Sequence, residues 1–355
     1  MKIAQVSPLI ESVPPKLYGG TERVVSYLTE ELVRAGHAVT LFATADSLTS
    51  ATLVPCAPTA LRLDPRVRDS MPHHLLQLER VRQRAHEFDV LHFHVDCLHI
   101  PLFRHLTHKC VTTVHGRLDL ADLQPFYDEF RETPLVSISD AQRAPLPWVN
   151  WLGTVYHGLG TKTCSFNPHP RGDYYAFLGR ISPEKGVDRA IEIARRAGVP
   201  LRIAAKVDRA DERYFHERIR PLLGGPMVEF IGEIDEHQKP DFLGNARALL
   251  FPIDWPEPFG LVMIEAMSCG TPIIAWPCGS VPEIIDHGVS GFLVHSIDEA
   301  VIATRQIPHL DRHRVRAQFD RRFTAARMAH DYVALYERLL SEPCVRDHAT
   351  IARVA

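Results

Sequence analysis

Two carboxylates and two cations stand out by type and spacing. Glu257 and Glu265 lie eight residues apart in the run Glu257-Pro258-Phe259-Gly260-Leu261-Val262-Met263-Ile264-Glu265-Ala266-Met267, a separation of at most about 12 Å if the segment is wholly helical. Pro258 keeps Glu257 extended and outside the helix, while Leu261, Ile264 and Met267 mark the apolar face of the helix that follows. Free N–H groups near Phe259, Gly260 and Leu261 suit phosphate or hydroxyl oxygens, and Glu265 is placed to accept hydrogen bonds from a diol. The spacing alone is met equally well by an exposed loop carboxylate followed by a solvent-facing helical one.

The cations are Arg180 and Lys185, in Gly179-Arg180-Ile181-Ser182-Pro183-Glu184-Lys185-Gly186. This stretch joins a predicted strand to a predicted helix, where strand C-termini open on a ligand crevice. A forked guanidinium and a flexible ammonium together neutralise a diphosphate and offset the charge of a departing anion. Two solvated loop cations would have the same local sequence. Near the N-terminus, Gly19-Gly20-Thr21 precedes a helix with Val24, Val25, Leu28, Leu32 and Val33 on its apolar side. Such a pair lets backbone N–H groups approach an anion closely, and also serves as a plain turn. A loop of about a dozen residues intervenes after the first strand, without Gly-x-Gly-x-x-Gly, which removes support from a dinucleotide-dependent oxidoreductase.

Short apolar runs alternating with longer amphipathic segments must position these groups, a pattern of βαβ units and parallel sheets. It occurs twice. In the first half the expected strands are 3–6, 38–42, 90–93, 111–114, 135–138 and 154–156; in the second they are 175–178, 201–205, 228–231, 248–251, 272–275 and 291–294. Two domains, residues 1–165 and 173–320, are therefore expected, joined by a proline- and glycine-containing linker from Thr161 to Gly172. A helix within 321–342, with Ala329, Tyr332, Val333, Tyr336 and Leu339 at helical spacing, is placed to pack back on the first domain. The last dozen residues read as a frayed tail.

Bulk properties agree with a two-domain globular enzyme. The chain has 355 residues, 45% hydrophobic and 23% charged, with a formal net charge of -3. That balance argues against a nucleic-acid partner. The basic run Arg312 to Arg322 reads as a solvated helix face. Seven scattered cysteines with no Cys-x-x-Cys pair, no signal-peptide pattern and no apolar run of spanning length point to a reduced, cytoplasmic setting that still permits peripheral membrane contact.

Taken together, Tyr18-Gly19-Gly20-Thr21-Glu22, Gly179-Arg180 to Lys185-Gly186, Glu257-Pro258-Phe259-Gly260 to Glu265-Ala266-Met267, and Cys269-Gly270-Thr271-Pro272 with Pro282-Glu283 resemble glycosyltransferase family four. They fall in the family's order and span nearly the whole chain. The resemblance implies the GT-B fold, an α/β architecture of two Rossmann-like parallel-sheet domains facing across a cleft. It implies a nucleotide diphosphate sugar as donor, held mainly by the second domain, and transfer with retention of configuration that needs no cofactor and no metal. By it Arg180 and Lys185 hold the diphosphate, Glu265 the ribose and Glu257 the transferred sugar, with Gly19 and Gly20 closing over the phosphates. His115, in Val114-His115-Gly116 at a strand end, would touch the sugar near the reacting carbon, although a strand-end histidine also has structural uses. Nucleobase contacts are expected from Val207 to Asp208 and from Gly232 to Ile234.

The acceptor is a hydroxyl on a small molecule, a glycan or a lipid-linked compound. Weak candidates for its site are Asp96 and His99, beyond a strand that also carries His92 and His94, and Ser139 and Asp140 at another strand end, where a helix N-cap is the plainer role for either. The histidines lack a recognised metal-ligand spacing and fit the cleft wall or strand-end hydrogen bonding better. UDP-glucose is the default donor. Other functions open to the same sequence are a sugar phosphorylase, which would cleave with phosphate alone, a nucleotide-sugar epimerase, which would release free sugar, and a silent nucleotide-sugar sensor or scaffold.

Overall fold

Each connection between the apolar runs is long enough for a crossover, so parallel pairing follows. The computed structural model describes residues 1–16, 18–160 and 165–341, and in it the runs form two sheets. The first has seven strands in the order β3-β2-β1-β4-β5-β6-β7: β1 (Lys2–Val6), β2 (Ala38–Thr44), β3 (Thr52–Ala57), β4 (Val90–Phe93), β5 (Cys110–Thr113), β6 (Leu135–Ser137) and β7 (Trp151–Thr154). The second has six in the order β10-β9-β8-β11-β12-β13: β8 (Tyr175–Arg180), β9 (Leu201–Lys206), β10 (Val228–Gly232), β11 (Ala248–Phe251), β12 (Ile273–Ala275) and β13 (Gly291–Leu293). All pairings are parallel. In each sheet the order reverses once, between β1 and β4 and between β8 and β11, and such reversals open a crevice at the strand C-termini.

Two expectations for the first sheet need correction. Thr52–Ala57 is an extra edge strand whose apolar pattern is interrupted by Pro55, a residue the ladder tolerates at an edge. The last strand ends at Thr154, so Tyr156 belongs to the crossing segment beyond it. The linker's first four residues lie outside the described residues. Beyond them, Asn167 is pinned to the second lobe, its N–H donating to Cys269 O at 3.1 Å and its side-chain amide to Gly244 O at 3.2 Å.

The basic run is also corrected at its first residue. Arg312 is buried, and its guanidinium donates to the carbonyls of Asn167, Ala246, Gly244 and Cys269 and to the Thr271 hydroxyl. It ties the linker to the second lobe rather than facing solvent. The final helix, Ala325–Ser341, does cross back. Met328, Ala329, Tyr332, Tyr336 and Leu339 pack among Ile3, Val24, Leu28, Val90, Val111 and Val136 of the first lobe. The last described segment therefore completes the core of the first sheet. No described helix is long and apolar enough to cross a membrane.

Candidate active site

The crevices of the two sheets face each other across a cavity of about 470 Å³, a size that suits a small-molecule ligand. From the first lobe, Ile10, Glu11, Tyr18, Gly19, Gly20 and Glu22 come from the loop and helix start after β1, Arg62 from beyond β3, His115 from the end of β5 and His157 from beyond β7. From the second lobe, Arg180 ends β8, Lys206 ends β9, and Glu257 to Val262 with Glu265 follow β11. Strand ends thus supply most of the polar groups, as an open α/β sheet requires.

Lys185 and Glu257 meet by a tight turn. Gly186 adopts φ 68°, and a Cβ there would lie 2.2 Å from Pro252 O, so glycine alone lets the loop after β8 press on the loop after β11. Lys185 Nζ then donates to Glu257 Oε2 at 2.5 Å and sits 4.6 Å from the centre of the Trp255 ring. The same carboxylate oxygen accepts the Trp255 indole N–H at 3.0 Å. Both Lys185 and Glu257 are nearly buried, at 17% and 10% side-chain exposure, so their charges act through little water.

Arg180 faces the cavity within a half-ring of carboxylates, Glu184 at 3.1 Å, Asp208 at 3.7 Å and Asp211 at 3.8 Å. Lys206 pairs with Asp208 at 2.6 Å and lies over the Tyr18 ring. The helix Leu261–Ser268 begins at Gly260, whose φ of 80° orients its first turn toward the cavity wall. Glu265 accepts from Lys239 Nζ at 2.9 Å; Lys239 also pairs with Glu236, which Arg23 of the first lobe reaches at 3.2 Å. Burial works against the Lys239 charge, yet Glu265 and Glu236 raise its pKa. A chain of alternating charge therefore runs from the first helix to the second lobe.

In the first lobe, burial pushes Glu22 up to about 7, and its Oε1 accepts the Glu11 N–H at 3.3 Å. Burial pushes His115 down to about 3 and holds His157, stacked on it at 5.3 Å, well below the usual histidine range. Both imidazoles are neutral at neutral pH. The lobes also meet where Glu283 accepts the backbone N–H groups of Asp140 and Ala141 at 2.8 and 2.6 Å and the Tyr156 hydroxyl at 3.0 Å.

Of the residues singled out in the sequence, the cavity brings together His115, Arg180, Lys185, Glu257, Glu265, Gly19, Gly20, Ile234, Phe259, Gly260 and Leu261. It does not include Val207 or Gly232; their neighbours Lys206 and Glu233 line the wall instead, because the strand ends point one residue earlier or later than expected. The four residues considered for an acceptor also lie elsewhere. His99 is buried, stacked on Phe93 at 3.9 Å and bonded through Nε2 to Thr112 Oγ1 at 2.8 Å. Asp96, at φ 49°, accepts the backbone N–H of His115. Ser139 is a buried helix cap bonded to the Gln142 N–H at 3.0 Å, and Asp140 joins the contact with Glu283. His92 and His94 spend both ring nitrogens on protein partners. Lys206 and His157 were missed, although Lys206 satisfies the strand-end rule that found Arg180. Arg62 and Glu11 had no signal, since the edge strand before Arg62 was itself unseen.

Residues 18–159 match the family model described as Glycosyltransferase Family 4, and residues 166–321 match Glycosyl transferases group 1. The chain belongs to glycosyltransferase family four. It is accordingly an enzyme that transfers sugar. A phosphatidyl-myo-inositol mannosyltransferase of Mycolicibacterium smegmatis is 27% identical over 94% of this chain and 90% of that one. An uncharacterized 41.2 kDa protein in the cps region of Klebsiella pneumoniae is 28% identical over 45% of each chain. Among solved structures, AviGT4, a glycosyltransferase involved in avilamycin A biosynthesis, superposes with TM-score 0.71 at 26% identity, covering 96% of this chain and 98% of that one. Anabaena HepE, solved in complex with UDP-glucose, shares the fold at TM-score 0.71 and 19% identity, over 95% of this chain and 100% of that one. Two-lobed GT-B architecture is common to this family-four chain and these structures.

Proposed function

We propose that the protein moves a hexosyl group from a nucleotide diphosphate sugar to an acceptor hydroxyl, with retention of configuration and without a metal. The observation that carries this reading is the convergence of His115 from one lobe with Arg180, Lys185, Glu257 and Glu265 from the other around one cavity. Arg180 and Lys185 take the diphosphate and offset the charge that develops as the bond to the sugar breaks. The Leu261–Ser268 helix start adds N–H donors, and Glu265 accepts from the ribose diol in exchange for part of its bond to Lys239. Glu257 and neutral His115 bind hydroxyls of the transferred sugar, and Gly19 and Gly20 let the first lobe approach the phosphates.

The departing phosphate helps deprotonate the attacking hydroxyl, so no separate protein base is assigned. The acceptor, whether small molecule, glycan or lipid-linked compound, enters along Ile10, Glu11, Tyr18, Glu22 and Arg62, and peripheral membrane contact is compatible with that route. UDP-glucose is the first donor to try, since HepE, which has the same fold, was solved with it. We place the protein in the cytoplasm, in keeping with five described cysteines that are all unpaired.

Purified protein is incubated with a panel of nucleotide sugars, with and without EDTA, and followed by nucleotide release and thermal stabilisation. The reading predicts that at least one donor stabilises the protein and is turned over in EDTA, with the product anomer matching the donor. No stabilisation by any nucleotide sugar, or turnover lost with EDTA and restored by a divalent ion, would overturn it.

A further inference from the structure

Behind His115 lies a continuous run of buried polar groups that the proposed chemistry does not use. His115 Nε2 is 2.9 Å from His94 Nδ1, and His94 Nε2 is 2.8 Å from Gln5 Oε1. Gln5 Nε2 reaches the Tyr336 hydroxyl at 3.3 Å, and that hydroxyl lies 2.7 Å from His92 Nδ1. His92 Nε2 meets Thr113 Oγ1 at 2.7 Å, and Thr113 Oγ1 meets the Tyr332 hydroxyl at 2.8 Å. Gln5, His92, His94, Tyr332 and Tyr336 are all 0% or 1% exposed, so water does not substitute for any link. The two tyrosines stand on the C-terminal helix, which has crossed over from the second lobe.

The donors and acceptors in this run determine one another. A neutral imidazole has one N–H and one bare nitrogen, and burial holds His92, His94 and His115 neutral. The amide oxygen of Gln5 only accepts, so His94 Nε2 carries the proton and His94 Nδ1 is bare. His94 Nδ1 must then accept from His115, which makes His115 the Nε2–H tautomer and leaves its Nδ1 as a lone-pair acceptor. The other end is satisfied in the same direction: Gln5 Nε2–H donates to Tyr336, whose hydroxyl donates to His92 Nδ1, and His92 Nε2–H donates to Thr113. Each group donates onward once, and turning the Gln5 amide over would reverse every link and place the His115 proton on Nδ1.

We propose that Gln5 and His94 are positioning residues that fix the tautomer of His115, with Tyr336 of the C-terminal helix holding the Gln5 amide, so that His115 presents a bare Nδ1 to a hydroxyl of the bound sugar. The part concerning the sugar rests on the proposed role of His115; the tautomer itself does not. A site built this way accepts a hydrogen bond from a hydroxyl and disfavours a substrate atom that can only accept.

Tautomer and turnover are measured separately. In protein labelled with ¹⁵N-histidine, long-range proton–nitrogen correlation of the His115 ring, assigned with His115→Ala, is expected to show Nδ1 unprotonated and Nε2 protonated. In Gln5→Met the two nitrogen signals converge as both tautomers populate, and kcat falls roughly tenfold, as for one misdirected hydrogen bond, with little change in donor KM. In a His115→Ala background Gln5→Met has no further effect on kcat. Tyr336→Phe, which removes one hydroxyl only, moves the His115 signals in the same direction and serves if Gln5→Met does not fold. A proton on Nδ1 of His115 in the unaltered protein overturns the proposal. So do His115 signals unchanged in the folded variants, or full additivity of Gln5→Met with His115→Ala. Full turnover in His115→Ala alone removes the sugar contact and leaves the tautomer assignment standing.

Discussion

Replacing Lys185 by alanine tests the proposed chemistry most directly, because the structure separates its effect on the reaction from its effect on folding. The ammonium is bound to Glu257 Oε2, but that oxygen also accepts the Trp255 indole N–H at 3.0 Å. Removing Lys185 therefore leaves the carboxylate partly satisfied. The folding cost should be that of one charge-assisted hydrogen bond, about 1.5–3 kcal/mol, and not the larger penalty of an orphaned buried charge. In a two-lobed chain this lowers Tm by roughly 2–4 °C per kcal/mol, and the protein remains folded at assay temperature. The catalytic cost is different in kind. A preplaced donor facing developing negative charge is worth about 2.7–4 kcal/mol, a loss of roughly 10²–10³ in kcat. The assay is nucleotide release at saturating donor, paired with a melting curve for each variant. Lys185→Ala with kcat within threefold of the unaltered protein would refute the assignment of this cation to the leaving diphosphate. Unfolding at assay temperature would refute the view that Trp255 keeps Glu257 satisfied.

Glu265→Gln keeps the shape but removes the charge paired with Lys239 at 2.9 Å, and is expected to raise donor KM about tenfold with a smaller change in kcat, read from steady-state kinetics. Gly260→Ala places a Cβ 2.7 Å from the Met263 methyl at φ 80° and should destabilise by about 1–3 kcal/mol in denaturant unfolding; an unchanged midpoint would contradict the strained helix start. Glu22 binds its proton more tightly folded, at about 7, than unfolded, at 4.5. Its contribution is complete below pH 4.5 and is lost as pH rises toward 7, up to about 3 kcal/mol by linkage, so Glu22→Gln should remove that decline between pH 5 and 8 in a series of melts. His115, depressed to about 3, has the opposite sign: its neutral form stabilises fully above pH 6.5 and that stability is lost as pH falls toward 3, which His115→Asn should lessen in acid melts.

The two sheets were legible because hydrophobic periodicity reports burial directly, and fully buried parallel strands such as Leu91-His92-Phe93 or Leu249-Leu250-Phe251 leave short apolar runs. The edge strand Thr52–Ala57 was not, since one of its margins is unpaired and Pro55 breaks its pattern. The cavity's main polar groups were legible where they sit at strand ends or a helix start, as Arg180, His115 and Gly260 do. Those that depend on pairing between distant segments were not. The helix cap formed by Ser139 is the plain role its place at a strand end suggests, whereas nothing near His99 says that its ring stacks on Phe93 and reaches Thr112. Tyr332 and Tyr336 were read correctly as one apolar face, but their hydroxyls, bonded to Thr113 and His92, needed the first lobe in place before they meant anything.

The charges in the cleft follow a consistent pattern. Lys185 is matched by Glu257, Lys206 by Asp208, Lys239 by Glu265 and Glu236, and Arg62 by Glu11, while Arg180 has three carboxylates within 4 Å. A bare set of cations would attract any polyanion and would repel itself in the absence of one. Here each cation is held in place by a carboxylate, so under the proposed function an entering diphosphate must replace existing partners with better geometry, and only an anion that reaches Arg180 and Lys185 together recovers that cost. Arg180 has one close partner, Glu184 at 3.1 Å, while Asp208 and Asp211, at 3.7 and 3.8 Å, lie beyond good hydrogen-bonding distance, so its fork has a single hydrogen bond to exchange for a phosphate. The proposed function thus predicts discrimination by the spacing of two cations whose positions are set by their own counter-charges, one on the end of β8 and one on the turn after it.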